Sequence, residues 1–145
     1  MTLREFHAAT PEYDEALRLR ETVLRAPLGL TLTSDELAGE DRCFHLGGFE
    51  NGRLLAVLLL RPLDESTVKM RQVAVHPDFQ NRGLGFQLVA FAEQFAKERG
   101  FTKIVAHARG TALGFYGKAG YAIIGEEFLE TTIPHRLVMK DLLRD

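Results

Sequence analysis

The stretch VAVHPDFQNRGLGF, residues 73–86, decides how the rest of the chain is read. Apolar residues open it as a β-strand, and a short polar loop follows. Beyond the loop, apolar residues recur at helical spacing: Leu84, Leu88, Phe91, Ala92 and Phe95. Gly100 ends this helix after Lys97 and Arg99, two cations that the helix dipole favours near a C-terminus. The stretch therefore predicts a strand, a loop and the N-terminus of a long helix.

The loop has the composition of an anion site. The first amides of a helix have no intrahelical acceptor, and the helix dipole makes that end positive, so backbone alone can hold a pyrophosphate. Gly83 and Gly85 lack a Cβ and would let phosphate oxygens approach, while Arg82 or Gln80 can add side-chain donors. The alternative interpretation is an ordinary glycine-containing turn between a strand and a helix.

Two common nucleotide loops are absent from the chain. Residues 73–86 contain neither the P-loop pattern GxxxxGK[ST] nor the dinucleotide pattern GxGxxG. A phosphate site here must be of a different kind.

The neighbouring segments predict further strands and helices around this loop. Cys43–Phe49 and Arg53–Leu60 flank an Asn51–Gly52 pair, which indicates an antiparallel hairpin. Thr67–His76 reads as the next strand, with a break in alternation near Arg71 and Gln72 that indicates a bulge. Shorter segments complete the pattern: a strand at 3–7, a helix from Pro11, a helical turn capped by Ser34, a strand at 103–108, a helix at 111–118, and strands at 121–124 and 136–140.

Composition limits the classes of function. With 46% hydrophobic and 26% charged residues in 145, the chain is predicted to fold as one domain, residues 1–145. The 18 basic and 20 acidic residues give a net charge of -2, which argues against nucleic acid or an anionic membrane as partner. The lone Cys43 fits a reducing cytoplasm. The five histidines lack metal-site spacing, so no metal is expected.

The loop motif resembles the pyrophosphate-binding signature of the GCN5-related N-acetyltransferases (GNAT). The matching residues are QNRGLG at 80–85, led by VAVHP at 73–77. The resemblance implies a single-domain α/β (α+β) fold with a central mixed, mostly antiparallel, splayed β-sheet flanked by helices. It also implies that the strand Val73, Ala74 and Val75 pairs its main chain with the pantetheine amides of acetyl-CoA. The implied cofactor-binding residues are Val73, Ala74, Val75, Gln80, Asn81, Arg82, Gly83, Leu84, Gly85, Phe86, Phe115 and Tyr116.

A second segment, LGFYGKAGY at 113–121, resembles the other cofactor segment of that family. Tyr116 is the residue of interest, because a phenol near the leaving thiolate can donate a hydrogen bond or a proton to sulfur. Helical spacing alone instead favours Tyr116 as a packing residue beside Phe115. The family often has an asparagine near 107–109, and this chain has none there.

The C-terminal part resembles an ElaA/YjcF-like subgroup of the family. The matching residues are EEFLE at 126–130, IPH at 133–135, and Met139 with Lys140, and RCFH at 42–45 fits more loosely.

A base is expected because an alkylammonium, with a pKa near ~10.4, is mostly protonated at neutral pH. His135 and Glu127 are the preferred candidates. An imidazole has the better matched pKa, near ~6.5, whereas a glutamate would need burial to approach neutrality. Four further candidates remain open: Glu126, Glu130, His45 and His76.

These residues together predict an acetyl-CoA-dependent N-acetyltransferase that transfers the acetyl group to a primary amine by direct attack on the thioester. The acceptor is expected to be a small molecule or a peptide, and the final strand could pair across a homodimer. Two alternatives stay open. One is a catalytically silent module that binds or senses a CoA thioester, and the other is transfer of a longer acyl chain.

Overall fold

The computed structural model describes residues 1–143 and contains seven β-strands within them. In chain order they are β1 (Thr2–Phe6), β2 (Phe44–Glu50), β3 (Arg53–Pro62), β4 (Thr67–Val75), β5 (Lys103–Arg109), β6 (Ala122–Glu130) and β7 (Ile133–Asp141).

Four α-helices lie in the same described range. They are α1 (Pro11–Arg20), α2 (Ser34–Leu37), α3 (Leu84–Glu98) and α4 (Leu113–Lys118). Thr10 caps α1 by accepting the N–H of Tyr13, and Pro11 occupies the first helical position, where a missing N–H costs nothing. No helix in residues 1–143 combines the length and hydropathy needed to cross a membrane.

The strands hydrogen-bond in the order β1-β2-β3-β4-β5-β7-β6. Strand β4 runs parallel to β5, with Thr67 opposite Lys103 and Met70 opposite Ala106. The pairs β1–β2, β2–β3, β5–β7 and β6–β7 are antiparallel. The predicted mixed, mostly antiparallel α+β fold is confirmed.

The chain forms two compact units. The first comprises Met1–Arg61 with Gln72–Ala92, and the second comprises Pro62–Arg71 with the described residues 93–143. The first unit contains a hydrophobic core of buried apolar side chains: Phe6, Ala16, Leu19, Phe49, Leu54, Val57 and Ala74. The single-domain organisation stays a prediction.

Two hairpins have two-residue turns. Asn51 and Gly52 join β2 to β3 with φ of 52° and 76°, as the Asn-Gly pair predicted. Thr131 and Thr132 join β6 to β7 with φ of 49° and 60°. Both turns place two residues in the left-handed region, but only the first uses residue types that favour it.

Two local predictions were wrong. The cap of α2 is Thr33 rather than Ser34, because the Thr33 hydroxyl accepts the N–H of Glu36 and the Glu36 carboxylate reaches back to the N–H of Thr33. Strand β6 extends to Glu130 and does not stop at Ile124, because a register shift between Ile124 and Phe128 carries the strand past Gly125.

Candidate active site

The predicted phosphate loop lies at the surface of the first unit. Strand β4 ends at Val75, and a single 3-10 turn, Pro77–Phe79, follows. The His76 ring caps this turn, since its Nδ1 accepts the N–H of Asp78 at 3.1 Å. Residues 80–83 are all exposed, and α3 begins at Leu84.

The backbone conformation of the loop explains why a glycine occupies position 83. Asn81 and Gly83 both lie in the left-handed region, with φ of 62° and 79°. A Cβ built on Gly83 would meet no other atom within 4 Å, so the space in front of this residue is open. The N–H of Gln87 donates to the Gly83 carbonyl at 3.0 Å and starts the helical ladder. The amides that precede Gln87 belong to the first turn, where a helix has no acceptors of its own and attracts anions.

Two side chains predicted as phosphate donors have different roles in the loop. The Gln80 amide donates to the Val75 carbonyl at 3.0 Å and ties the loop to the end of β4. The Arg82 guanidinium lies 5.3 Å from the centre of the Phe79 ring on the exposed side. Arg82 is therefore the better placed of the two to reach an anion from solution.

Strand β4 is distorted just before the segment predicted to pair with pantetheine. Gln72 has a φ of 58°, which accounts for the break in alternation seen near Arg71 and Gln72. The Gln72 side chain accepts from Nε of Arg20 at 3.4 Å. Beyond it, Ala74 is buried, whereas Val73 and Val75 are half-buried.

Tyr116 lies on α4 in the second unit, and only 6% of it is exposed. Its ring meets those of Phe115 and Tyr121 edge to face, each at a centroid distance of 5.3 Å. Within residues 1–143 the Tyr116 hydroxyl makes no hydrogen bond. Burial raises the pKa of this phenol to about 12, so the group is protonated at neutral pH and able to donate.

A polar network lies next to the Tyr116 ring and reaches it through Tyr121. Tyr121 donates its hydroxyl to Glu93 at 3.0 Å, and burial with the Glu93 charge raises its pKa. Lys140 donates to Glu93 at 2.9 Å and to the Ala119 carbonyl at the end of α4 at 2.8 Å. Sequence reasoning missed this network, because its members lie on three separate segments of the chain: α3, residues 119–121 and β7.

The second unit also brings together three residues that we call the His–Glu–His cluster: His107 on β5, Glu130 on β6 and His135 on β7. Nδ1 of His107 lies 2.9 Å from Oε1 of Glu130. Nε2 of His135 lies 3.6 Å from Oε2 of the same carboxylate. Nδ1 of His135 lies 2.8 Å from the carbonyl of Ile133, which can only accept, so this nitrogen carries a proton.

Glu130 is held as an anion in this cluster. Partial burial acts to raise its pKa, but the hydrogen bond and charge of His107, with the charge of Lys69, outweigh burial and lower it. The Phe128 ring stacks on His135 at 6.1 Å and meets His107 edge to face at 4.8 Å. Sequence reasoning named Glu130 only as an open alternative, and the spacing of the chain gives no signal that pairs it with His107.

The other base candidates lie elsewhere. Glu127 and Glu126 are exposed on β6. His45 is buried, and its Nε2 lies 2.7 Å from the Glu40 carbonyl, while burial lowers its pKa. Of the two preferred candidates, the structure places His135 beside Glu130 and leaves Glu127 on the exposed face. In residues 1–143 no three His, Cys, Asp or Glu side chains are grouped to hold a metal ion.

The profile described as the acetyltransferase (GNAT) family matches residues 5–121. The chain therefore belongs to this family. Among curated relatives, YyaT of Bacillus subtilis (strain 168) is 37% identical over 79 residues, 54% of this chain and 53% of YyaT. YjcF of the same organism, an uncharacterized N-acetyltransferase, is 32% identical over 74 residues, 50% of this chain and 53% of YjcF. The chain spans about half the length of the first curated relatives it matches.

Solved structures share the fold over nearly the whole chain. An acyl-CoA N-acyltransferase from Pseudomonas aeruginosa has a TM-score of 0.82 at 27% identity, covering 96% of this chain and 98% of that one. Escherichia coli ElaA has a TM-score of 0.82 at 19% identity, covering 97% and 100%. A GNAT family acetyltransferase from Elizabethkingia anophelis, solved with acetyl-CoA bound, has a TM-score of 0.71 at 22% identity, covering 97% of each chain. YjcF and ElaA typify the subgroup that the C-terminal motif predicted.

Proposed function

We propose that the chain is an acetyl-CoA-dependent N-acetyltransferase that acetylates a primary amine by direct attack on the thioester. The observation that carries this proposal is the exposed turn before α3, where Asn81 and Gly83 adopt left-handed conformations and a Cβ on Gly83 would meet open space just before the first helical amides. The same residues carry the family signature, and acetyl-CoA is bound by the Elizabethkingia relative.

In this proposal the pyrophosphate binds the amides that open α3, and Arg82 adds a charged donor. The main chain of Val73, Ala74 and Val75 pairs with pantetheine, and the other residues of the loop, with Phe115 and Tyr116, complete the cofactor site.

Tyr116 acts on the leaving group. As the amine nitrogen bonds to the carbonyl carbon, the C–S bond breaks and sulfur gains charge, which the protonated Tyr116 phenol stabilises as donor. Its environment supports this role, because a buried phenol without a protein acceptor has its hydrogen-bond donor available for the cofactor.

His135 and Glu127 are the proposed bases. Of these, His135 has the geometry of an acceptor, since its Nδ1 is committed to a carbonyl and its Nε2 is unprotonated in the neutral ring. Glu127 on the exposed face of β6 would take the proton directly or through water.

Calorimetry with acetyl-CoA tests the cofactor site. Binding is expected for the full chain, and Arg82→Glu should weaken it about tenfold by placing a negative charge beside the pyrophosphate. The matched control is Arg42→Glu, an exposed arginine of a distant segment in the same unit. Absence of binding at millimolar acetyl-CoA would remove the proposal. A crystal soaked with acetyl-CoA that showed the pyrophosphate away from residues 80–85 would remove it as well.

Tyr116→Phe tests the chemistry. We expect turnover of an amine panel to fall by about 100-fold, while the Kd for acetyl-CoA changes little, because only the donor to sulfur is lost. Tyr121→Phe is the matched control: it also loses one hydroxyl, but that hydroxyl bonds to Glu93, so stability should fall rather than turnover. Equal losses of turnover in the two variants would contradict the role of Tyr116.

The competing function is a sensor that binds a CoA thioester without turning it over. A wild-type chain that binds acetyl-CoA and acetylates no amine in the panel would support the sensor. Comparison of acetyl-CoA with longer thioesters would identify a preference for another acyl chain.

The remaining proposals concern the setting of the reaction. The acceptor is a small-molecule or peptide amine, the compartment is the cytoplasm, and no metal takes part. The final strand cannot pair across a dimer as expected, because β7 already hydrogen-bonds to β5 on one side and to β6 on the other. Residues 1–145 form one catalytic domain, and the chain forms a homodimer. Size-exclusion chromatography with light scattering checks the last point.

A further inference from the structure

The His–Glu–His cluster contains two hydrogen-bond acceptors that face each other. In the neutral His135 ring, Nδ1 carries the proton that it donates to Ile133, so Nε2 presents a lone pair. Oε2 of Glu130 lies 3.6 Å away and, within residues 1–143, accepts no hydrogen bond. Two facing acceptors repel each other unless a proton donor lies between or beside them.

The buried position of His135 limits which hydrogen-bond donors can reach its Nε2, because only 6% of the residue is exposed. The Glu130 side chain is 44% exposed, so a ligand can approach from solvent and reach both acceptors at once. The exposed part of the cluster therefore carries an acceptor, Oε2 of Glu130, and the second acceptor lies 3.6 Å from it.

We propose that Oε2 of Glu130 and Nε2 of His135 form the binding site for the primary ammonium group of the acceptor substrate. One N–H of the ammonium donates to the carboxylate and another donates to the imidazole. The inference rests on the proposed acetyltransferase function and names the substrate class of that reaction, a cationic primary alkylamine. It assigns to Glu130 a role in substrate binding and to His135 the role of proton acceptor.

The other charged groups near the site fix its preference. His107 on β5 donates to Oε1 of Glu130 and keeps the second oxygen free for the substrate. Lys69 on β4 contributes positive charge near the carboxylate, and Arg109 on β5 pairs in register with His135. These cations disfavour a second positive group close by, so the site suits an amine with a single charge at the reacting end.

An aromatic wall completes the site. Phe128 lies opposite His135 in the register of β6 and β7, and its ring stacks on the imidazole. It also contacts His107 edge to face, so one ring holds both histidines in place. The methylene groups next to an ammonium would pack on this ring, which favours alkyl over strongly polar acceptors.

The proton balance of the reaction follows from this binding mode. The ammonium gives one proton to Nε2 of His135, and the Glu130 carboxylate stabilises the resulting imidazolium. The free amine then bonds to the carbonyl carbon, and the C–S electron pair leaves with sulfur. As the amide forms, sulfur takes a proton from Tyr116, and the second proton of the nitrogen passes through water to restore the Tyr116 phenol. One proton in total is released to solvent from His135.

The first test compares a charged and an uncharged acceptor. Glu130→Gln should lower kcat/KM for n-butylamine by about 10-fold to 100-fold, mainly through KM, because a charge-assisted hydrogen bond is lost. Aniline is uncharged at neutral pH, so its kcat/KM should change by less than about threefold. Glu98→Gln, at the exposed end of α3, is the control and should change neither. Equal losses for both amines in Glu130→Gln would overturn the inference.

The second test does not depend on turnover. In the full chain labelled with 15N-histidine and saturated with CoA, ring spectra report which nitrogen of each histidine is protonated. Before amine is added, His135 should show one proton, on Nδ1. Addition of n-butylammonium should shift its Nε2 resonance, n-butanol should not, and Glu130→Gln should abolish the shift.

The two tests separate this inference from the proposed function. A chain that acetylates no amine but shows the selective ring shift lacks the proposed function and retains the ammonium site. A chain that acetylates amines but shows the same spectra with n-butylammonium and n-butanol is an acetyltransferase whose acceptor binds elsewhere. A His135 ring that carries two protons before amine is added also overturns the inference.

Discussion

Two glutamates of this chain, Glu40 in the first unit and Glu130 in the second, have lowered pKa values for different structural reasons. Glu40 is 1% exposed and accepts two hydrogen bonds from Arg20, at 2.8 and 2.7 Å, and one from Tyr13 at 2.7 Å. Glu130 is partly exposed, accepts one hydrogen bond from His107, and keeps one oxygen open.

The difference distinguishes a structural carboxylate, Glu40, from the one to which we assign substrate binding, Glu130. Arg20 and Tyr13 fill the acceptor sites of Glu40, and its fork-shaped pairing with Arg20 leaves no approach for a ligand. Around Glu130 the partners are the imidazole rings of His107 and His135, and one carboxylate oxygen stays open. A lowered pKa alone therefore does not mark an active site, because a structural ion pair such as Arg20–Glu40 lowers a carboxyl pKa as well.

The largest effect is expected when the Glu40 charge is removed. Glu40→Gln leaves Arg20 buried without a counter-charge and should lower the free energy of unfolding by about 3–5 kcal/mol. The matched control is Glu12→Gln, which breaks an exposed pair with Arg4 and should cost less than about 1 kcal/mol. Urea denaturation measures both.

If the Glu40→Gln variant does not fold, the double variant Arg20→Met, Glu40→Leu tests the role of the ion pair instead. Replacing both charges with apolar groups should recover much of the loss, because no buried ion remains unpaired. A single variant as stable as the wild type would show that this pair is not the structural element we describe.

Acid should weaken the chain through Glu40, the second largest effect. Burial acts to raise the pKa of Glu40, but the hydrogen bonds and charge of Arg20 outweigh it, and the pKa in the folded chain lies below that of the unfolded chain. The unfolded chain then binds the proton first, so this contribution is complete above the ordinary carboxyl pKa of about 4.3 and is lost as pH falls through the folded value.

Denaturation curves from neutral pH into the acid range check this expectation. The stability difference between wild type and Glu40→Gln should shrink as pH falls below about 4.3. Burial also lowers the pKa of His45, which weakens both chains below about 6.5, so the change that reports on Glu40 is the one below about 4.3, where its own carboxylate takes up a proton. A difference that does not change with pH would contradict the assignment.

Removing the Glu130 charge should have the smallest effect on stability. Because the carboxylate is partly exposed and water screens it, Glu130→Gln should change the free energy of unfolding by less than about 1 kcal/mol. The same variant is expected to impair acetylation of alkylamines. Removing the Glu40 charge should therefore mainly lower stability, whereas removing the Glu130 charge should mainly lower activity. A loss of stability as large as that of Glu40→Gln would make Glu130 a structural residue.

Local patterns in the sequence predicted the parts of the fold that short-range chemistry dictates. The Asn51–Gly52 turn, the apolar stripe of α3 and its end at Gly100, and the break at Gln72 are all found in the structure. Each depends on neighbours within a few residues, where spacing and turn preferences act directly.

Features that depend on strand register were not predictable. His107, Glu130 and His135 meet because β7 lies between β5 and β6, an order that no local pattern specifies. Strand β6 was predicted too short because Gly125, Glu126 and Glu127 interrupt its apolar alternation, and its pairing with β7 resumes only at Phe128. The buried Arg20–Glu40 pair was missed because both residue types usually lie at the surface.

The turn that follows Glu130 carries a backbone strain that the Asn51–Gly52 turn avoids. Thr131 and Thr132 are β-branched residues in left-handed backbone, a combination that disfavours folding by about 1 kcal/mol or more. An engineer who sought a more heat-resistant enzyme would begin at this turn and introduce Asn and Gly there. Because the turn adjoins the carboxylate that we assign to the amine, the added rigidity could come at the expense of catalysis.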